Sequence, residues 1–412
     1  MDAFTTNLEK YAELVIRIGV NLQKGQDLMI ESPMESLELT RLIVKKAYEA
    51  GASFVQVHWQ DDLITRSRFE YAVDEAIDYY PDWYTSMLER FVENGGALLN
   101  IKVPDPDLYK GIDASMISRA SKAAATARKT YQQYVRTSKF SWCLIKAPTQ
   151  AWASKVFADF PEEQRMDAMW DAIFRMNRIY EEDPVAAWRI HIKQLQRMRE
   201  VLNAKKYTAL QYRAPGTNLR IELPEGHIWL GGDKGNEQGI RFVANMPTEE
   251  VFTMPKKTGV NGTVACTKPL NVNGAIVDKF SFVFENGRVI DYTAEVGYEH
   301  LESLMNMDAG SRYLGEVALV PVDSPISNMN RIFYNTGIDE NASCHLALGS
   351  CYPINIANGA KLSKEELDER GGNTSLIHVD FMMGSADLEI DGVLSNGDVE
   401  PVFRKGNWAL LF

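Results

Sequence analysis

Two histidines and several carboxylates stand where apolar sequence should exclude them. In "SLIHVDFMMG", residues 375–384, Leu376, Ile377, Val379, Phe381, Met382 and Met383 make a run apolar enough for a core, and His378 and Asp380 interrupt it. Side chains two apart on a strand share a face. Imidazole and carboxylate therefore lie side by side, while Ile377, Val379 and Phe381 take the other face. "GEVALVPV" puts Glu316 at the head of another apolar strand, "DENASCH" sets Glu340 five residues before His345, and "PTEEVFTMP" joins Glu249 to Glu250 before an apolar turn. Taken singly, each is a solvated strand-end acid or a satisfied core imidazole, and His58, His191, His227 and His300 are read that way. Taken together they need compensation, because a buried carboxylate is costly unless it is paired or coordinates a cation. Divalent metal supplies it. Imidazole with carboxylate, and no obligatory thiolate, suits zinc, cobalt or manganese. The number of ligands exceeds what one tetrahedral ion takes and fits a pair of ions roughly 3.5 to 4 Å apart, with a bridging carboxylate and a bridging water, as in two-metal hydrolases.

The elements that must position these residues fall into two halves. Residues 4–21 place Leu8, Tyr11, Leu14, Val15 and Ile18 at helical spacing, "KGQ" turns the chain, and Asp27 to Glu31 is a short apolar strand. Helical residues 36–49, the strand "FVQVHW", a helical stretch ending near Asn94-Gly95-Gly96, the strand "ALLNIKV", helical residues around 113–135, the strand "FSWCLIKAP" and a helical run reaching Val201 follow. Such alternation predicts an α/β N-terminal domain, residues 1–203, with a mainly parallel sheet. Beyond Ala204 the pattern becomes short alternating runs broken by turn pairs, Pro215-Gly216, Asn286-Gly287 and Asn396-Gly397. This predicts a mainly antiparallel β (α+β) C-terminal domain, residues 204–412, carrying the metal site.

Composition narrows the remaining classes. With 45% apolar and 24% charged residues among 412, the chain is an ordinary globular protein, and no apolar run nears the roughly 18 residues of a membrane span. Cys143, Cys266, Cys344 and Cys351 are sparse and lie in or beside apolar segments, which fits reduced thiols and a cytoplasmic location. A net charge of −12 argues against a nucleic-acid partner, and Lys45-Lys46 and Lys256-Lys257 are too small to reverse it. "GGDKGNEQG" at 231–239 lacks the strand-then-helix context of a phosphate loop and reads as a plain loop. There is no Gly-x-Ser-x-Gly elbow and no His-Glu-x-x-His helix.

At "PTEEVFTMP", "YLGEVALVP", "FYNTGIDENASCHLALG" and "HVDFMMGS", in that order, the sequence resembles the thermophilic metallo-aminopeptidase family, that of aminopeptidase T and aminopeptidase S. The resemblance covers essentially the whole chain, with its specific motifs in the C-terminal part. It implies a two-domain homodimer with a dimetal centre in the C-terminal domain that releases N-terminal amino acids from peptides. It maps metal ligation onto Glu250, Glu316, Glu340, His345, His378 and Asp380, with Tyr352 of "SCYPIN" beside the site. Glu340 is either a ligand or a partner that orients His345.

The expected function is therefore that of a metal-dependent aminopeptidase, a hydrolase of peptides with a free N-terminus, working through a dimetal-activated water. Glu250 or Glu316 would shuttle the proton to the leaving amine, and the Tyr352 hydroxyl would donate to the oxyanion. Metal, or a carboxylate such as Glu249, would hold the α-amine. Two alternatives stay open at this point, another dimetal hydrolase (an amidohydrolase or phosphoesterase) and a non-enzymatic metal-stabilised binding protein. Closed structural sites tend toward four ligands and cysteine, which favours catalysis.

Overall fold

The computed structural model describes residues 2–102, 108–272 and 275–410. The chain divides into two compact units, one made of Met1–Ile190 and Asp233–Pro247, the other of His191–Gly232 and Thr248–Phe412. A parallel-sheet α/β region occupies the first, and antiparallel sheets build the second. In the first, strands β1 (Leu28–Pro33), β2 (Val55–Gln60), β3 (Ala97–Lys102) and β4 (Trp142–Lys146) are parallel, in the order β2-β1-β3-β4. The central strands are near-continuous apolar runs, with Leu28, Met29, Ile30, Ala97, Leu98 and Leu99 all buried, as a sheet covered by helices on its faces requires. Helices intervene where the periodicity places them, at Ala3–Leu14, Leu37–Glu49 and Asp82–Glu93. Asp2 caps the first by accepting the Thr5 N–H at 2.7 Å. Val103, the last residue of the expected strand "ALLNIKV", lies outside the described residues.

The helix Pro184–Lys205 is continuous through the change from one unit to the other. The compositional change at residue 204 coincides with its C-terminal end, whereas the contact boundary falls inside it, between Ile190 and His191. Residues 233–247 group with the first unit, and the stretch 231–239, expected as a loop, contains short ladder pieces at Leu230–Gly231 and Lys234–Gly235.

In the second unit the larger antiparallel sheet runs Leu270–Val272, Ala275–Glu285, Val260–Ala265, Thr217–Glu222, Ala209–Ala214, Glu389–Val393, Val399–Arg404, Asn407–Trp408, with Arg288–Val296 also paired to Ala275–Glu285. Asn286 and Gly287 both have positive φ, 50° and 85°, the conformation a two-residue hairpin demands. A smaller antiparallel sheet positions the polar residues. Its strands are β5 (Leu230–Gly231), β6 (Val251–Thr253), β7 (Leu314–Leu319), β8 (His345–Gly349) and β9 (His378–Met382), in the order β9-β8-β7-β6-β5.

Alternation gives the smaller sheet two unlike faces. Val251, Val317, Leu319, Leu346, Leu348 and Phe381 belong to one core with Phe280 and Phe282 of the larger sheet. The Phe381 ring sits 6.0 Å from that of Phe280 and 5.1 Å from that of Phe282. Each such aromatic pair contributes about 0.5–1.5 kcal/mol beyond its area burial. In β7 Leu314 pairs with Leu348 and Glu316 with Ala347, so Gly315 is the extra residue of a bulge. Leu314 thereby joins the same core as Val317 and Leu319, which unbroken alternation would forbid.

Candidate metal centre

The other face of the smaller sheet carries the acids and imidazoles. Register sets Glu316 beside Ala347 and Ala347 beside Asp380, while Ala318 faces His345 and Gly349 faces His378. Phe252 pairs with Ala318, so Glu250, two residues earlier and just ahead of β6, falls on this face too. Small residues at 318, 347 and 349 leave space between the functional side chains. Gly349 has φ +102°, and a Cβ there would lie 2.1 Å from the Ile377 carbonyl oxygen. Gly349→Ala is expected to cost about 1–3 kcal/mol through strain in the β8–β9 pair. A thermal unfolding midpoint equal to that of the wild type would contradict this.

Glu316 stands at the middle of the cluster. One of its oxygens lies 3.6 Å from His345 Nε2 and the other 3.6 Å from His378 Nε2. Glu250 approaches His345 Nε2 at 3.2 Å, and Asp380 Oδ1 approaches His378 Nε2 at 3.5 Å. Two groups result, Glu250 with Glu316 and His345, and Glu316 with His378 and Asp380, and in each the candidate ligand atoms lie within 4.8 Å of one another. Both imidazoles are aimed from behind. The Nδ1 of His378 lies 2.7 Å from the Ser350 carbonyl oxygen and that of His345 3.2 Å from the Ser343 carbonyl oxygen. With Nδ1–H donating to a carbonyl, each Nε2 is turned toward the carboxylates, where it carries a proton or, once that proton is displaced, offers a lone pair to a cation.

Burial makes this cluster electrostatically expensive. Glu316, His345 and Asp380 are buried. Burial, against the pull of His345, pushes the Glu316 carboxyl up to about 7. Burial and the charges of Asp380 and Glu250 raise Glu340 well above the carboxylate range. Burial alone would lower the pKa of both imidazoles. The hydrogen bond and charge of Asp380 outweigh it and hold His378 at about 9, and Glu250 with Glu316 raises His345 well above its ordinary value. Asp380 stays below its ordinary value, because His378 overcomes the effect of its burial. Asp380 Oδ1 is buried, and His378 Nε2, its partner, stands at a long 3.5 Å. Excess buried carboxylate, a poorly satisfied oxygen and aimed imidazoles are what a divalent cation satisfies.

Tyr352 closes the cluster on one side, its ring centroid 4.8 Å from that of His378 and 6.1 Å from that of Phe252. The residue is 46% exposed overall. Its phenol reaches deep enough for burial and the charge of Glu316 to push its pKa far up, so it is protonated at neutral pH.

A family model described as thermophilic metalloprotease (M29) matches residues 4–408. The chain belongs to this M29 metalloprotease family. Aminopeptidase 2 of Geobacillus stearothermophilus is 52% identical over 99% of both chains. Aminopeptidase AmpS of Bacillus subtilis (strain 168) is 48% identical over 99% of this chain and all (100%) of its own. The solved structure of wild-type AmpT from Thermus thermophilus superposes with a TM-score of 0.93 at 38% identity, covering 99% of this chain and 100% of that one. The M29 chain is thus a metal-dependent hydrolase of the exopeptidase class, a metallo-aminopeptidase.

In this M29 protein the residues that the resemblance maps to the site, Glu250, Glu316, Glu340, His345, His378, Asp380 and Tyr352, come together. Glu249 does not join them. Its buried carboxylate lies 3.5 Å from His191 Nε2. Lys256 is paired with Glu222 at 3.1 Å and Lys257 with Asp368. Residue types gave no signal for the Ser343 and Ser350 carbonyls, which are backbone groups. Asn341, buried beside Glu340, carried no signal either, since it stands in the polar run Asp339-Glu340-Asn341.

Proposed function

We propose that the protein removes the N-terminal residue of peptides using two divalent ions. Glu250, Glu316 and His345 would hold one, and Glu316, His378 and Asp380 the other, with Glu340 completing the set. The observation that carries this reading is the division of Glu316, one oxygen toward each imidazole at 3.6 Å. Bound there, divalent metal supplies Lewis acidity, polarising the scissile carbonyl and bringing the pKa of water toward neutrality. Glu250 is the proton shuttle to the leaving amine. Its side chain is 16% exposed against 6% for Glu316, so substrate reaches it most readily. The protonated Tyr352 hydroxyl donates to the oxyanion.

The reading extends to assembly and location. A homodimer agrees with the apolar surface of the first unit, where helix Asp62–Tyr71 has no buried residue yet presents Leu63 and Ile64, 74% and 73% exposed. A cytoplasmic protein agrees with the free cysteines Cys143, Cys266, Cys344 and Cys351. No helix among the described residues is long and apolar enough to cross a membrane.

Matched peptides with free and acetylated N-termini test the exopeptidase register. Acetylation removes the charge and lone pair of the amine, a charge-assisted contact of roughly 1.5 to 3 kcal/mol, so kcat/KM should fall about tenfold to a hundredfold. Equal cleavage of both, or products released from the interior of a longer peptide, would refute it.

A further inference from the structure

The segment that carries Glu250 and the turn that carries Glu340 are not joined by any described strand pairing. Glu250 precedes β6, whose ladders run to β7 and β5, and Glu340 opens the short 3-10 turn Glu340–Ala342, outside both sheets. One side chain spans the gap. Asn341 is 2% exposed, and its Oδ1 accepts the backbone N–H of Glu249 at 2.7 Å in a buried setting. Its Nδ2 points back to the Gly337 carbonyl oxygen at 3.4 Å, within its own turn. The carboxamide therefore sits next in sequence to one acid and grips the peptide next to the other.

From this we infer that Asn341 is a positioning residue. It clamps the Glu249 amide so that Glu250 and Glu340 meet the cluster at a fixed spacing, and so sets the affinity of the ion held by Glu250, Glu316 and His345. The inference rests on the two-ion reading above. His378 and Asp380 are held differently. They lie on β9, fixed by its ladder to β8 and by the Ser350 carbonyl, and neither contact passes through Asn341. Losing the clamp should therefore weaken one ion and spare the other. Outer contacts of this kind change metal affinity by about ten- to a hundredfold.

Zinc-loaded full-length protein, dialysed against a graded series of zinc buffers and analysed for metal, tests this. Wild type should retain two ions per chain down to a common low free zinc. Asn341→Leu removes the acceptor while keeping the branched skeleton of the side chain, and it should release one ion at about ten- to a hundredfold higher free zinc while the second follows the wild-type curve. Asn341→Asp keeps an acceptor oxygen in place and should restore both ions. Asn341→Ala, which forces no isostere into the turn, serves if the leucine variant does not fold, and the same split is expected of it. A variant lacking the acceptor that follows wild type, or loses both ions in parallel, overturns the inference, as does an Asp variant that fails to rescue. Wild type that never holds more than one ion overturns the two-ion reading itself, a result separable from the others.

Discussion

His345→Ala is expected to lower peptide hydrolysis about a thousandfold or more, with the fold retained. His345 is the imidazole shared between Glu250 and Glu316, its Nε2 at 3.2 and 3.6 Å from their oxygens. Its loss would empty one coordination position and leave the carboxylates of Glu250 and Glu316 facing each other. Lewis-acid stabilisation of transition-state charge contributes several kcal/mol, and each 1.4 kcal/mol or so is tenfold in rate. About three decades follow. His378→Ala should behave alike, since Glu316 bridges to it in the same way. Circular dichroism would establish that each variant is folded, and turnover near that of wild type at saturating zinc in either would remove that histidine from the centre.

Tyr352→Phe separates chemistry from metal binding. Phenylalanine preserves the ring that packs 4.8 Å from His378 and 6.1 Å from Phe252, and deletes only the hydroxyl. Removal of one oxyanion donor costs about a hundred- to a thousandfold in kcat. A fall of at least a hundredfold is expected, with KM changed little and zinc content unchanged. Loss of metal along with activity would make Tyr352 a ligand or a support for one. A kcat within a few-fold of wild type would place the oxyanion elsewhere.

Much of this centre was legible because polar residues in apolar strands are conspicuous and strand period is short. His378 and Asp380 had to share a face, and Ile377, Val379 and Phe381 had to take the other, whichever strands lay alongside. What period alone does not convey is register. Nothing in "GEVALVPV" says that Glu316 lies across Ala347 from Asp380, since that pairing is set by turns and loops many residues away. The carbonyls that aim the imidazoles belong to Ser343 and Ser350, and any residue type would offer them. Glu249 is separated from the cluster by the same alternation. Adjacent residues in extended chain face opposite ways, so its proximity in sequence to Glu250 placed it beside His191 instead. The division of the chain was hidden too, because helix Pro184–Lys205 has no break in pattern where its contacts change hands.

The bulge at Gly315 acts as a phase shifter, and it fixes where this protein tolerates changes of length. Upstream of it Leu314 is in step with Leu348 on the apolar side, and downstream Glu316 is in step with Ala347 on the polar side. Deleting Gly315 would make Leu314 and Glu316 neighbours, which plain alternation already sends to opposite faces, so both would keep their sides; flattening the bulge with Gly315 in place would instead put Leu314 and Glu316 on one side of the sheet, and either the core or the metal cluster would give way. Adding a single residue within β8 or β9 would invert every side chain beyond it in the same manner. Whole insertions in the stretch between β7 and β8, or in that between β8 and β9, leave the parity of the strands untouched. Viable length variants of this chain should accordingly gather in those connections and, loss of the bulge residue Gly315 apart, be missing from the three strands they join.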